Sequence, residues 1–498
     1  MDYKYIGTPK QIKLQECVAN GFVFAPSKYS RFLPSQNSLY TPLLQLCKVS
    51  TKKIIFDRKK EYRYSEIGDI DVSNGTIDNH SYYGIDLPSD NPKNCIKGDI
   101  LVSTVRTYRG GIGIVTDDFE NHCCSPAILV IRDIIDDRIT KEYLLAILRS
   151  DFFIEQILGF QTRGMYPRLD NDAMEKVIIP IPKDNEVIKY VSLLSKAYIN
   201  KYTIIKKRHA QIIDLIENEL NANQKPNHFN YHLPKCADLN EMGRLDTNMY
   251  TPYFKEEEFK IKNYSNGYNN IEGLGFTLSR GQNLQISNIG KSIYSPKWYP
   301  GFYTLVLPMF LSRYGTIDDV KYLGNRNLLK TLKVGDLIFG AEGFEKGRSI
   351  VVVKEETNTI TNIHGITLKQ DSHNLNKAIF VKCFMDYLRY KGLIDLFAVG
   401  GNGGSLAQRY WPFIPFPNFP ETTQKEIASL YYNSKEYDTC DLQLDTFIEY
   451  DNEYNNSAGI FELDKSAKQL KAILNKTIDD IVNERRINFS FTYNETEN

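Results

Sequence analysis

No stretch of this chain stays apolar for anything near the ~18 residues that a membrane-crossing helix needs. Met1-Asp2-Tyr3-Lys4 leads into a polar segment and not into a signal peptide. A cytoplasmic protein with no membrane association is therefore expected. The eight cysteines, at 17, 47, 95, 123, 124, 236, 383 and 440, include no CxxC and no repeated spacing. Structural zinc needs four ligands converging from short turns, so no metal site is expected. Cys123 and Cys124 beside His122 read as buried strand residues. Net charge is lacking too: 61 Lys and Arg balance 61 Asp and Glu. This argues against bulk attraction to nucleic acid and leaves local basic surfaces open. One such surface is the run Lys48, Lys52, Lys53, Arg58, Lys59, Lys60 and Arg63.

Catalytic motifs are equally scarce. Asn91-Pro92-Lys93 lacks the second proline and the aromatic ring of an amino-methyltransferase loop, and no P-loop lysine arrangement occurs. The histidines form no HExxH. Asp246 with Glu258-Phe259-Lys260 has the letters of a metal-dependent nuclease, but in a charged stretch such triplets arise easily and read as a solvated face. The chain reads as a binder without catalytic groups of its own.

What the sequence does contain is a passage written twice. Lys97-Gly98-Asp99-Ile100-Leu101-Val102-Ser103 opens one copy, which ends at Ile179-Pro180-Ile181-Pro182. Val334-Gly335-Asp336-Leu337-Ile338-Phe339-Gly340 opens the other, which ends at Ile414-Pro415-Phe416-Pro417. The Gly-Asp pairs lie 237 residues apart and Pro180 and Pro415 lie 235 apart, so the copies are equivalent modules. Each Gly-Asp turn delivers the chain into a strand, a loop and a returning strand. Residues 141–158 have the spacing of one amphipathic helix. Leu43 to Leu46 and Ile54-Ile55-Phe56 read as short strands.

Each module is followed by helix. From Asn185 to about Leu220 an apolar stripe recurs at steps of three and four, including Val191, Leu194, Tyr198, Ile205 and Ile212. A helix of ~35 residues is ~50 Å long. After Glu421 a second helical region begins, is interrupted by an acidic stretch around 438–460, and resumes with Leu463, Leu470, Leu474 and Ile478. Two such stripes are most readily buried against each other. The expected fold class is α+β. It comprises two similar mixed α/β domains, residues 1–184 and 222–420, joined and separated by long antiparallel coiled-coil-like helices, residues 185–221 and 421–498.

A reader of duplex DNA needs Arg, Lys, Asn or Gln on loops that reach base edges and phosphates. The first module offers Arg106, Arg109, Arg163 and Arg168. The second offers Lys346, Arg348, Asn402, Gln408 and Arg409.

The segments GDILVSTVRTYRGGIGIV and RLDNDAMEKVIIPIP, with the long helix that follows, are replayed in VGDLIFGAEGFEKGRSIVVV and YWPFIPFPNFPETTQKEIA. This ordered pattern resembles the specificity (S) subunit of type I restriction-modification systems over most of the chain. The resemblance implies a non-catalytic subunit with two target-recognition domains, each reading one half of a bipartite, asymmetric sequence in double-stranded DNA. It implies as partners two methyltransferase (M) subunits, docked on the helices, and restriction/translocase (R) subunits. The chain itself would carry no cofactor, S-adenosylmethionine, ATP and Mg2+ belonging to those partners. A specificity protein of a related antiphage or solitary methylation system, or a two-module scaffold that binds no DNA, are the alternatives.

Overall fold

In the computed structural model the described residues are 4–19, 21–24, 29–32, 40–160, 167–169, 171–354, 358–400 and 403–493. Arg163 and Asn402 lie outside them. The chain divides into two units, Met1–Ile204 with Tyr437–Asn456 and Lys465–Asn498, and Ile205–Glu436 with Ser457–Asp464. Mixed helix and sheet in both make the fold α+β.

The main sheet of the first unit has four strands in the order Cys47–Ser50, Ile128–Ile134, Ile100–Ser103, Ile112–Ile114. All neighbours are antiparallel. Ile100-Leu101-Val102 is buried on both faces, as its unbroken apolar run requires. A smaller sheet runs His80–Tyr83, Glu61–Ser65, His122–Cys124, Lys93–Asn94.

The second unit repeats the main sheet as Phe276–Arg280, Gly365–Gln370, Leu337–Gly340, Ser349–Val351. The register repeats as well: Ile128 faces Ser103, and 237 residues later Gly365 faces Gly340. Gly98 N–H donates to Val115 O at 2.8 Å and Gly335 N–H to Val352 O at 2.9 Å. Gly98 and Gly335 have φ of 86° and 87°, the left-handed region in which glycine is unstrained. The following carboxylates turn back alike, Asp99 Oδ2 accepting from Ile96 N–H and Asp336 Oδ2 from Lys333 N–H, both at 2.9 Å. The repeated Gly-Asp is thus a turn in which the carboxylate caps the backbone that leads into a buried strand.

The segment 141–158 is two helices and not one, Lys141–Leu148 and Asp151–Phe160. Thr140 caps the first by accepting from Tyr143 N–H. At the break the Ser150 hydroxyl donates to Ile147 O at 2.6 Å, taking a carbonyl at the first helix's end. The apolar spacing continues across the break, which is why it reads as one stripe. Leu43–Leu46 is likewise a helical turn and not a strand, and Ile55 is fully exposed outside any strand.

The long helix is Asn185–Ala222, shared by the two units at Ile204/Ile205. Within the first unit it runs antiparallel to the later part of the helix Ile460–Val482. Val187 lies by Ile481, Tyr190 hydrogen-bonds Thr477, and the Lys471 ammonium sits 5.9 Å from the Tyr198 ring. Val191, Leu194, Tyr198, Leu470, Leu474 and Ile478 are buried there in one core. Ile205, Ile212 and Leu463 are buried in the second unit.

As far as Asn456 the acidic stretch is a folded part of the first unit and forms most of the helix Phe447–Ser457. Asp451 is wholly buried against Lys201 at 2.7 Å. Lys201 also donates to Asn455 Oδ1 at 2.7 Å and faces the rings of Tyr437 and Tyr454 at 4.2 and 4.7 Å. Burial pulls the Lys201 ammonium down to about 8, against the pull of Asp451.

Candidate nucleic-acid interface

In the first unit, the loop leaving Ile100–Ser103 is held by the segment around Arg168. Thr104 O accepts from Leu169 N–H at 2.9 Å, and Arg106 N–H donates to Pro167 O at 2.9 Å. These bonds bring Arg106, Arg109 and Arg168 to one end of the main sheet. Arg109 and Arg168 are exposed and Arg106 is half-buried. The second unit makes the same bonds at the same offset, Leu406 N–H to Ala341 O at 2.8 Å and Gly343 N–H to Gly404 O at 3.0 Å.

The frame is shared and the side chains on it are not. Arg106 has φ 51°, at the position where the second unit has Gly343 with φ 83°. A left-handed arginine costs ~1–2 kcal/mol relative to glycine. Strain of this kind concentrates where a side chain has a task.

Arg109 corresponds to Lys346, whose place differs from that expected for a DNA-facing cation. Lys346 is 7% exposed, pairs with Asp395, and donates to Gly403 O at 2.6 Å. Arg348 is also turned inward, donating to Leu311 O at 3.0 Å and pairing with Glu345. Burial, with Arg389 and Arg313 nearby, pushes its guanidinium pKa down. Both cations hold the loop to its own unit, a role that the loop sequence cannot disclose because Asp395 and Leu311 lie far along the chain. Gln408 and Arg409 begin the helical turn Gln408–Phe413, with Arg409 exposed over the Tyr410 ring at 4.7 Å.

Beneath the loops the turns are neutralised differently. Asp99 is fully buried and pairs with Arg132 at 2.7 Å, a hydrogen bond that raises the arginine's pKa. Burial raises the carboxyl of Asp336, with Lys369 nearby pulling it back. His122, buried with Nε2 3.0 Å from Ser65 Oγ, is pushed down to about 4 by desolvation. The nuclease-like letters serve ion pairs: Glu258 holds Lys255 and Lys262, and Asp246 holds Arg244. Lys48, on the edge strand of the main sheet, and Lys52, Lys53, Arg58, Lys59 and Lys60, on the approach to the smaller sheet, are exposed.

Residues 41–233 match the family described as type I restriction modification DNA specificity domain. Over those residues the chain is similar to a type I restriction-modification DNA specificity domain. That match takes in both four-stranded sheets of the first unit, the helices Lys141–Leu148 and Asp151–Phe160, and the long shared helix. The resemblance read from the Gly-Asp passages is thereby borne out over those residues. Among solved structures the chain is similar to the HsdS subunit from Thermoanaerobacter tengcongensis, at 16% identity and TM-score 0.31, covering 90% of this chain and 98% of that one. It is also similar to the type I restriction-modification S subunit from M. genitalium, at 12% identity and TM-score 0.42, with coverage of 90% and 98%. No curated protein matches the sequence. Among the described residues no helix is long and apolar enough to cross a membrane.

Proposed function

We propose that this chain is the DNA-recognition subunit of a type I restriction-modification complex, reading a bipartite, asymmetric target and directing partner subunits that methylate or cleave. The observation that carries this reading is the duplicated hydrogen-bond frame. From the Gly-Asp turn to the loop and its clasp, the backbone bonds recur at an offset of 237 residues. The first copy lies within the residues that match the specificity domain. Two frames of one kind with different side chains on their loops suit two half-sites of different sequence.

In the first unit Arg106, Arg109 and Arg168 are the candidates for DNA contact. In the second, Gln408 and Arg409 remain, whereas Lys346 and Arg348 act as supports. Methyl transfer, translocation and cutting fall to the partner subunits, with their S-adenosylmethionine, ATP and Mg2+. Sequencing that detects methylated bases, on DNA from cells expressing this chain with its methyltransferase, tests the reading. It predicts one split motif with two unlike halves. Methylation unchanged when this chain is deleted refutes it.

A further inference from the structure

The smaller sheets of the two units have four strands each but differ at their edges. Glu61–Ser65 runs parallel to His122–Cys124, as Tyr303–Leu305 does to Thr359–Ile360. Cys95 N–H donates to His122 O, and 237 residues on Leu332 N–H donates to Thr359 O. On this correspondence Lys321–Asn325 takes the place of His80–Tyr83, which is the edge of the first unit's sheet. In the second unit a further strand, Ser292–Ser295, pairs outside it.

That added strand contributes little to a core. A strand joining a sheet to cover apolar surface buries one face and exposes the other. Here Ile293 and Tyr294, which point to opposite faces, are 66% and 54% exposed. The turn that follows presents Trp298 and Tyr299, 52% and 51% exposed. The other tryptophan, Trp411, is fully buried. Exposed Lys291 and Lys297 flank the strand, and exposed Lys321 and Arg326 bracket its partner. No carboxylate occurs between Glu272 and Asp318, a stretch that holds Arg280, Lys291, Lys297 and Arg313.

Flat apolar groups on a segment that itself carries cations and no carboxylate, although Asp318 and Asp319 precede the paired strand, match a polyanion that also offers flat apolar faces. A two-stranded ribbon fits the major groove of B-DNA, where apolar side chains contact the thymine methyl and polar ones the base edges. We propose that Lys291–Gly301 is a further element of the second unit that enters DNA, in addition to the loop of Gln408 and Arg409. Trp298 and Tyr299 meet the bases, and Lys291 and Lys297 meet the flanking phosphates. This rests on the DNA-reading function and adds that the two halves of the target are read by different devices, since the first unit's sheet ends at His80–Tyr83.

The full-length chain, co-expressed with its methyltransferase, is used to select binders from a library of random-sequence duplexes. Trp298→Ala and Tyr299→Ala are compared with the wild type. The expected result is a split motif for the wild type; in each variant one half and the gap are kept, and discrimination in the other half falls about 5- to 150-fold per contacted base. The selected duplex should quench wild-type tryptophan emission and leave Trp298→Phe, which keeps only Trp411, unchanged. Variants that select the wild-type motif, or that lose both halves equally while folded, overturn the proposal. So does shielding of Trp298 by an acidic protein and not by the duplex. A wild-type chain that selects no motif refutes the DNA-reading function instead, so the two failures are distinguishable.

Discussion

Replacing Lys201 by Met should loosen the acidic segment 437–456 from the first unit. Lys201 and Asp451 are both wholly buried, and each satisfies the other at 2.7 Å. Without the ammonium, Asp451 keeps the hydroxyl of Tyr437 at 2.7 Å and the amide of Asn455 at 2.8 Å, but no cation. Stranding one member of a buried pair costs ~3–5 kcal/mol, whereas exchanging both for apolar residues of similar volume is often close to neutral. A loss of ~3 kcal/mol is ~150-fold in an opening equilibrium. Hydrogen exchange followed by mass spectrometry should therefore show amides of Phe447–Ser457 exchanging ~150-fold faster in Lys201→Met, and much closer to wild type in Lys201→Met with Asp451→Leu. A single variant with exchange within about threefold of wild type would refute the reasoning. So would a double variant as labile as the single one, because the stranded charge would then not be the cause.

Three further outcomes follow from the same structure. Asp99→Asn should destabilise the first unit by ~3 kcal/mol in urea unfolding, because it strands the guanidinium of Arg132, whereas Asp336→Asn should cost ~1 kcal/mol because burial already disfavours its charge. The His122 pKa of about 4 lies below the ~6.5 of an unfolded chain, so the unfolded state takes up the proton first as pH falls. Its contribution is then complete above pH 6.5 and is lost between 6.5 and 4, ~3 kcal/mol in all, and His122→Gln should lessen the acid sensitivity of unfolding over that window. Arg106→Glu with Arg109→Glu should abolish discrimination in one half-site and leave the other intact in a binding competition; equal loss in both halves would count against the assignment.

Features set by neighbours in sequence were legible before the structure was known. The Gly-Asp turns depend on a glycine at positive φ and a carboxylate three residues past the amide it caps, and both are visible as text. The stripe from Val191 to Ile212 fixes a helix because its period needs no partner to be recognised. Features set by distant partners were hidden. Lys346 looks like Arg109 in its loop, but Asp395 turns it inward. Asp451 sits in a stretch that reads as an acidic interruption between helices, yet Lys201, 250 residues earlier, makes it a core residue. The exposed strand Ser292–Ser295 carries adjacent apolar residues that could equally be core, and only the sheet order shows that neither of its faces is covered.

The shared 237-residue offset has a consequence for how such a chain can change. A genetic crossover within the Gly-Asp passage would splice Ile100–Ser103 to the continuation of Leu337–Gly340, or the reverse, at points where turn, register and loop clasp already agree. The hybrid would inherit intact backbone bonds and a new set of loop side chains. Novelty in what is read could thus arise by shuffling existing halves, without passing through an unfolded intermediate sequence.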